Sequence, residues 1–132
     1  MTLIDTNVLV DIWSKDPLWF DWASGEFASA ISRGAVVINP VIYAELSWGF
    51  QSESDLDSAI GGASLTLVDL PCGTGWSASC AFKKYRQRGG TKTSPLADFF
   101  IGAHAEAIGV PILTRDVGGY RSYFPSVQLI CP

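Results

Sequence analysis

Short β-branched runs recur along this chain at separations that suit an intervening helix, and that rhythm constrains the fold more than any other feature. The runs are Leu3-Ile4, "AVVIN" at 35–39, "LTLVDL" at 65–70, "PILTR" at 111–115 and "VQLIC" at 127–131. Helical stretches fill the intervals. Residues 17–33 close at Gly34, a good C′ residue, and Asn39-Pro40 supplies an N-cap and an N1 proline for "VIYAELSWGF". Further helices are expected over 53–60 and 75–88, and Ser94-Pro95 opens "LADFFIGAHAEAIG". A helix-like Val8-Leu9-Val10 follows the first strand. Strands alternating with helices predict an α/β sandwich around a mainly parallel sheet of about five strands.

With 132 residues and no repeat, linker or low-complexity segment, the chain reads as one domain, 1–132. Nearly half its residues are apolar, which argues against disorder. No apolar run approaches the ~20 residues of a membrane span. The first strand begins at Met1 with no charged leader, so no signal peptide is expected and the chain is placed in the cytoplasm. Cys72, Cys80 and Cys131 have no C-x-x-C spacing and only one histidine, His104, to join them. They read as free, mostly buried thiols of a reducing compartment rather than a zinc site.

The acidic residues carry the chemistry. Asp5 ends the first strand with no cation before Lys15, and Asp116 follows "PILTR". Ligands of parallel sheets bind at the carboxyl ends of strands, where both acids fall. Glu45 sits in an apolar helix whose neighbours three and four positions away are Val41, Ile42, Trp48 and Gly49, and Asp98 has Ile101 and Gly102 on its C-terminal side. Neither has a helical ion-pair partner. Ordinary roles stand beside these readings: Asp5 as a helix cap, Asp98 near a capping box, Asp116 as a turn former before Gly118-Gly119. Asp16, Asp21, Glu53, Asp55 and Asp57 read as surface charge. If the first four converge, each pair ~4 Å apart repels by roughly 4 kcal/mol at an effective dielectric near 20. Protonation or a cation must offset that repulsion, and hard carboxylate oxygens suit Mg²⁺ or Mn²⁺.

The segments "IDTNVLVD", "YAEL", "SPLADFFIGAHAEAIG" and "ILTRDVGGYRSYFPSVQLICP", in this order and spanning the chain, resemble a PIN domain. Within that family the pattern is similar to a VapC-type toxin of bacterial or archaeal toxin–antitoxin pairs. The resemblance implies an α/β/α sandwich and a catalytic metal site carried by Asp5, Glu45, Asp98 and Asp116. It implies Mg²⁺- or Mn²⁺-dependent endoribonuclease activity on transfer or ribosomal RNA, and a VapB-type antitoxin as inhibitor; a homodimer is also expected. Asn7 and Thr114 match positions whose polar side chains support the site. One departure is Val117-Gly118-Gly119, where relatives often carry basic residues after the last acid.

That departure moves the expected RNA contacts elsewhere. The net charge is −4, yet five of the nine basic residues, Lys83, Lys84, Arg86, Arg88 and Lys92, lie in "KKYRQRGGTK". With Arg121 they form the candidate RNA-binding group, although cations also favour a helix C-terminus. On the helix at 17–33, Phe20, Phe27 and Ile31 form one stripe with Leu18 and Trp22 nearly opposite. With Ile12 and Trp13 just upstream, Leu18 and Trp22 suggest a groove for an antitoxin helix or a second subunit. His104 is expected to serve structure. Two other readings remain: a degenerate PIN-like binding module, and an aspartyl-nucleophile phosphatase, for which position 7 would usually be Asp rather than Asn.

Overall fold

The computed structural model describes residues 1–93 and 96–132. Five short strands form one sheet: β1 (Thr2–Ile4), β2 (Val36–Ile38), β3 (Thr66–Leu67), β4 (Ile112–Leu113) and β5 (Leu129–Ile130). Their order is β3-β2-β1-β4-β5, and all four pairings are parallel, with Leu3 opposite Val37 on one side and Ile112 on the other. Parallel strands are covered on both faces, so they read as continuous apolar runs rather than alternating ones. Leu3, Ile4, Val36, Val37, Ile38, Ile112 and Leu113 are accordingly all buried.

Among the described residues, seven helices surround the sheet in an α/β/α sandwich: α1 (Thr6–Trp13), α2 (Phe20–Arg33), α3 (Pro40–Leu46), α4 (Glu53–Gly62), α5 (Gly73–Gln87), α6 (Ala97–Ile108) and α7 (Gly118–Tyr123). The Asn39-Pro40 start of α3 forms as expected: the Asn39 side-chain oxygen accepts from the Ile42 N–H at 3.0 Å. The Asn39 amide also donates to buried His104 Nδ1 at 3.0 Å, tying α3 to α6. Helix α6 ends at Gly109 in the left-handed conformation, φ 68°, which glycine adopts without steric cost. One turn beyond Asp98, a Cβ on Gly102 would lie 2.3 Å from the Phe124 ring, so α6 can receive that ring only as glycine.

Several local expectations differ from the fold. The helix expected over 17–33 begins at Phe20, because the Asp16 carboxylate accepts the Leu18 and Trp19 N–H groups, each at 2.9 Å, and holds the chain in a turn. Asp16 is therefore a half-buried turn residue rather than surface charge. The helix containing Glu45 stops at Leu46 and continues as a 3₁₀ turn over Ser47–Gly49. Helix α7 was not anticipated, since Gly118-Gly119 reads locally as a turn. The Ser94-Pro95 cap falls outside the described residues; α6 has Leu96 at its N-cap position. Cys72 and Cys80 are exposed and Cys131 half-buried, which corrects the expectation of mostly buried thiols. Among the described residues no helix is long and apolar enough to cross a membrane.

Candidate active site at the carboxyl edge of the sheet

From β1 the chain steps outward to β2 and β3, then returns to place β4 on the other side of β1. The β1–β4 junction is thus the topological switch point, where ligands of open parallel sheets bind. Asp5 follows β1 there and Asp116 follows β4. Helix α3, carrying Glu45, packs against α1 and α6, and Asp98 occupies the first turn of α6.

Asp5 is held most firmly. It is buried, and its Oδ2 accepts from Thr114 Oγ1 at 2.8 Å, Asn7 Nδ2 at 3.0 Å and the Tyr120 hydroxyl at 3.1 Å. The single Thr114 proton goes to Asp5, so the same hydroxyl accepts from the Asp116 N–H at 3.1 Å and from Asn7 Nδ2 at 3.2 Å. Asn7 Oδ1 takes the Arg115 N–H at 3.0 Å. The Asn7 amide therefore stitches the start of α1 to the segment that carries Asp116. Burial raises the Asp5 pKa; the Thr114, Tyr120 and Thr6 donors oppose that rise, and the Asp116 charge adds to it.

The other three acids are more open. Glu45 is exposed, because α3 is not apolar all round as its sequence suggested; Ala44 and Trp48 also face solvent. Thr6 Oγ1 donates to Glu45 Oε1 at 2.7 Å, and the Glu45 pKa is raised by desolvation of its carboxyl and by Asp5. Asp116 is exposed and its Oδ1 accepts from the Gly118 N–H at 3.3 Å, so its turn-forming role is realised at the start of α7. Asp98 is half-buried, and its pKa is pushed up to about 6, first by burial and then by the charges of Asp5, Glu45 and Asp116. Position in the first turn of α6 should favour its anionic form.

Sequence reasoning missed Thr6, Tyr120, Asp11 and Arg115. Tyr120 is buried on α7, and burial together with Asp5 and Asp98 holds its phenol far above the ordinary range, so it remains a donor. Asp11, also buried, receives Arg115 in a bidentate pair, Nε to Oδ2 at 2.7 Å and Nη2 to Oδ1 at 3.1 Å. The Arg115 guanidinium lies 5.4 Å from the centre of the Trp19 ring. An acid between two apolar residues, Val10 and Ile12, was the available signal for Asp11. Tyr120 offered none, because its helix was not expected.

The residues would suit a divalent ion by donor chemistry: hard carboxylate oxygens, close enough to raise one another's pKa, with no cationic side chain among the causes of the Asp98 shift. Among the described residues, however, no three acid, imidazole or thiol groups are clustered tightly enough to hold one ion by themselves. Water would complete the coordination, as Mg²⁺ commonly requires.

The basic residues divide into two kinds. Lys83, Lys84 and Lys92 are exposed. Arg86 Nη1 donates to the carbonyls of Gly90 and Lys92 at 3.0 and 3.1 Å, and Arg88 Nη1 to that of Ser122 at 3.4 Å while lying 5.1 Å from the Tyr123 ring centre. Arg121 approaches Cys131 Sγ at 3.6 Å. The residues of the expected groove, Ile12, Trp13, Leu18 and Trp22, differ in exposure. Ile12, Trp13 and Trp22 pack partly against the core, whereas Leu18 is 76% exposed in the turn before α2. Its helical phase relative to Trp22 therefore does not apply.

Comparison with known proteins fits this architecture. The sequence matches the PIN domain family over residues 2–123. The chain belongs to the PIN domain family. Its fold is similar to that of VapBC2 from Rickettsia felis, solved bound to a DNA fragment from their promoter (TM-score 0.76, 18% identity, covering 99% of this chain and 98% of that one). It is also similar to VapBC-1 from nontypeable Haemophilus influenzae (TM-score 0.72, 16% identity, 98% and 96% covered). A toxin–antitoxin complex from Klebsiella pneumoniae aligns with TM-score 0.68 and 18% identity over 96% of this chain and 95% of that one. No curated protein sequence matches the chain.

Proposed function

We propose that this PIN-domain protein is a divalent-metal-dependent endoribonuclease and the toxin of a VapC-type toxin–antitoxin pair. The observation that carries the reading is the acidic constellation at the switch point, in which Asp98 is raised to about 6 by burial and by the other three carboxylates. Asp5, Glu45, Asp98 and Asp116 would hold Mg²⁺ or Mn²⁺. Bound there, the metal would supply an activated water and a counter-charge for the departing oxygen of a phosphodiester. The side chains do the positioning: Asn7, Thr114 and Tyr120 fix Asp5, and Thr6 orients Glu45. The exposed Lys83, Lys84 and Lys92 would meet backbone phosphates.

The antitoxin assignment is supported by the fold likeness to proteins solved as VapBC and toxin–antitoxin complexes. A small VapB-type partner encoded beside this chain is expected, as is a homodimer measurable by sedimentation. The catalytic reading is tested with purified protein freed of any partner. Structured RNA should be cut with Mg²⁺ or Mn²⁺, and not with chelator or by Asp98→Asn. Metal-independent cleavage, or full activity of Asp98→Asn, would reject the metal site; absence of cleavage under every metal condition would leave a binding module.

A further inference from the structure

Three of the four acids already have one carboxylate oxygen committed to the protein. Asp5 Oδ2 carries three donors: Thr114 Oγ1 at 2.8 Å, Asn7 Nδ2 at 3.0 Å and the Tyr120 hydroxyl at 3.1 Å. A carboxylate oxygen offers about two lone-pair sites, so Oδ2 is saturated and Asp5 can offer an incoming ion only Oδ1. Glu45 Oε1 is held by the Thr6 hydroxyl at 2.7 Å, and Asp116 Oδ1 by the Gly118 N–H at 3.3 Å.

The two side-chain hydroxyls come from elements that the acids themselves do not occupy. Tyr120, 1% exposed, reaches Asp5 from α7 across 115 residues of chain. Thr6 opens α1 and reaches Glu45 on α3 across 39. An ion that took both oxygens of Asp5 would strip buried donors of their acceptor, and a buried donor left unpaired is costly.

Cations differ in what they ask of a carboxylate. Ca²⁺ gathers about six to eight oxygens and often takes both oxygens of one carboxylate. Mg²⁺ requires a tight octahedron and keeps several waters, and Mn²⁺ shares the octahedral preference. Carboxylates limited to one oxygen each meet the second requirement and fall short of the first.

We propose that Tyr120 and Thr6 are specificity-determining positioning residues. By holding one oxygen of Asp5 and one of Glu45, they present each acid as a single-oxygen ligand, which admits Mg²⁺ or Mn²⁺ and disfavours Ca²⁺. Neither hydroxyl touches the ion; each acts through the acid it holds. The assignment rests on the metal-site reading above and deepens it, because it says how the site chooses among divalent ions. Both hydroxyls also support the fold, but a purely structural role would weaken all ions alike.

The test is calorimetric titration of the full chain, freed of any partner, with Mn²⁺ and separately with Ca²⁺. The wild-type chain should bind Mn²⁺ more tightly. Tyr120→Phe and Thr6→Val each remove one hydroxyl while keeping the side chain's bulk. Each should narrow the Ca²⁺-to-Mn²⁺ ratio of Kd values by about 3- to 10-fold, the scale of one hydrogen bond, and the double variant by more. Thr6→Ser, which keeps the hydroxyl, should return the wild-type ratio. Thr6 is half-buried and outside the core, so its variants keep the test open if Tyr120→Phe folds poorly. Infrared difference spectra supply a second readout. The gap between antisymmetric and symmetric carboxylate stretches is wide for one-oxygen coordination and narrow for two-oxygen coordination. It should be wide for wild type with Mn²⁺ and narrow for the double variant with Ca²⁺.

A ratio unchanged in both single variants, or a narrow gap for wild type with Mn²⁺, would overturn the assignment; RNA cleavage by the same chain would leave the nuclease reading standing. Selectivity that follows the two hydroxyls in a chain that cuts no RNA would keep the assignment and reject the nuclease reading. Failure of the wild-type chain to bind either ion would overturn the metal site and the assignment together.

Discussion

Asp11 and Asp98 are two carboxylates in helices that pass close to the same sheet edge, and the fold treats them in opposite ways. Asp11 is buried and receives the full fork of Arg115. Asp98 is half-buried among three other acids, and among the described residues no cationic side chain contributes to its shift. Arg115 is the chain neighbour of Asp116, so a cation was within reach of the acidic site. The fold turns it away, towards Asp11 and the face of Trp19. A protein selected only for stability would put the arginine among the acids. Keeping that site negative while neutralising the acid behind it is what the proposed binding of a cation from solution requires.

Substitutions at the two carboxylates should separate activity from stability. Asp98→Asn should lower metal-supported RNA cleavage by roughly 10³-fold, equivalent to several kcal/mol of lost charge stabilisation, in initial-rate assays. Asp11→Asn should leave the rate within a few-fold of wild type if the site retains its shape.

Stability should respond the other way. Arg115→Ala strands Asp11 as a buried unpaired charge and should cost about 3 kcal/mol in urea unfolding. Asp11→Asn leaves Arg115, whose side chain is 34% accessible, free to reach water and should cost about 1 kcal/mol. Equal costs would mean that the pair is not held as described.

The pH dependence sharpens the contrast further. The Asp98 pKa in the folded chain, about 6, lies above the ordinary 3.8, so its neutral form favours folding at low pH. That contribution is fully present below about pH 4 and is lost as pH rises through about 6. In chelator, Asp98→Asn should therefore be more stable than wild type at pH 7.5 by on the order of 2 kcal/mol, allowing for partial exposure, with the difference vanishing near pH 4. A divalent ion should raise the wild-type melting temperature at pH 7.5 and have little effect at pH 4, where the acids bind protons instead.

A modest effect is expected at Tyr120. Its hydroxyl is one of three donors on Asp5 Oδ2, and Thr114 and Asn7 remain when it is removed. Tyr120→Phe should cost about 1–2 kcal/mol in stability and impair metal binding less than Asp5→Asn, as measured by calorimetry.

Much of this site was legible in the residues alone because its signals are local. An acid in an apolar helix or at the end of a strand is conspicuous without any structure, which is why Glu45 and Asp98, and Asp5 and Asp116, could be singled out. The Asn39-Pro40 cap acts within one helical turn, and five β-branched runs separated by helix-length intervals admit few arrangements other than a parallel sheet. What the chain alone determined was therefore strand and helix rhythm, the apolar core strands and the identity of the unpaired acids. Tertiary structure decided the rest. Arg115 selects Asp11 over Asp116 across 104 residues of chain, and Tyr120 reaches Asp5 across 115. It also left Trp48 exposed, put Leu18 in a turn and made α7 a helix despite two glycines. Parallel crossovers bring together residues distant in sequence, so pairing and exposure depend on the whole sheet being formed, whereas propensity and hydrophobic pattern act residue by residue.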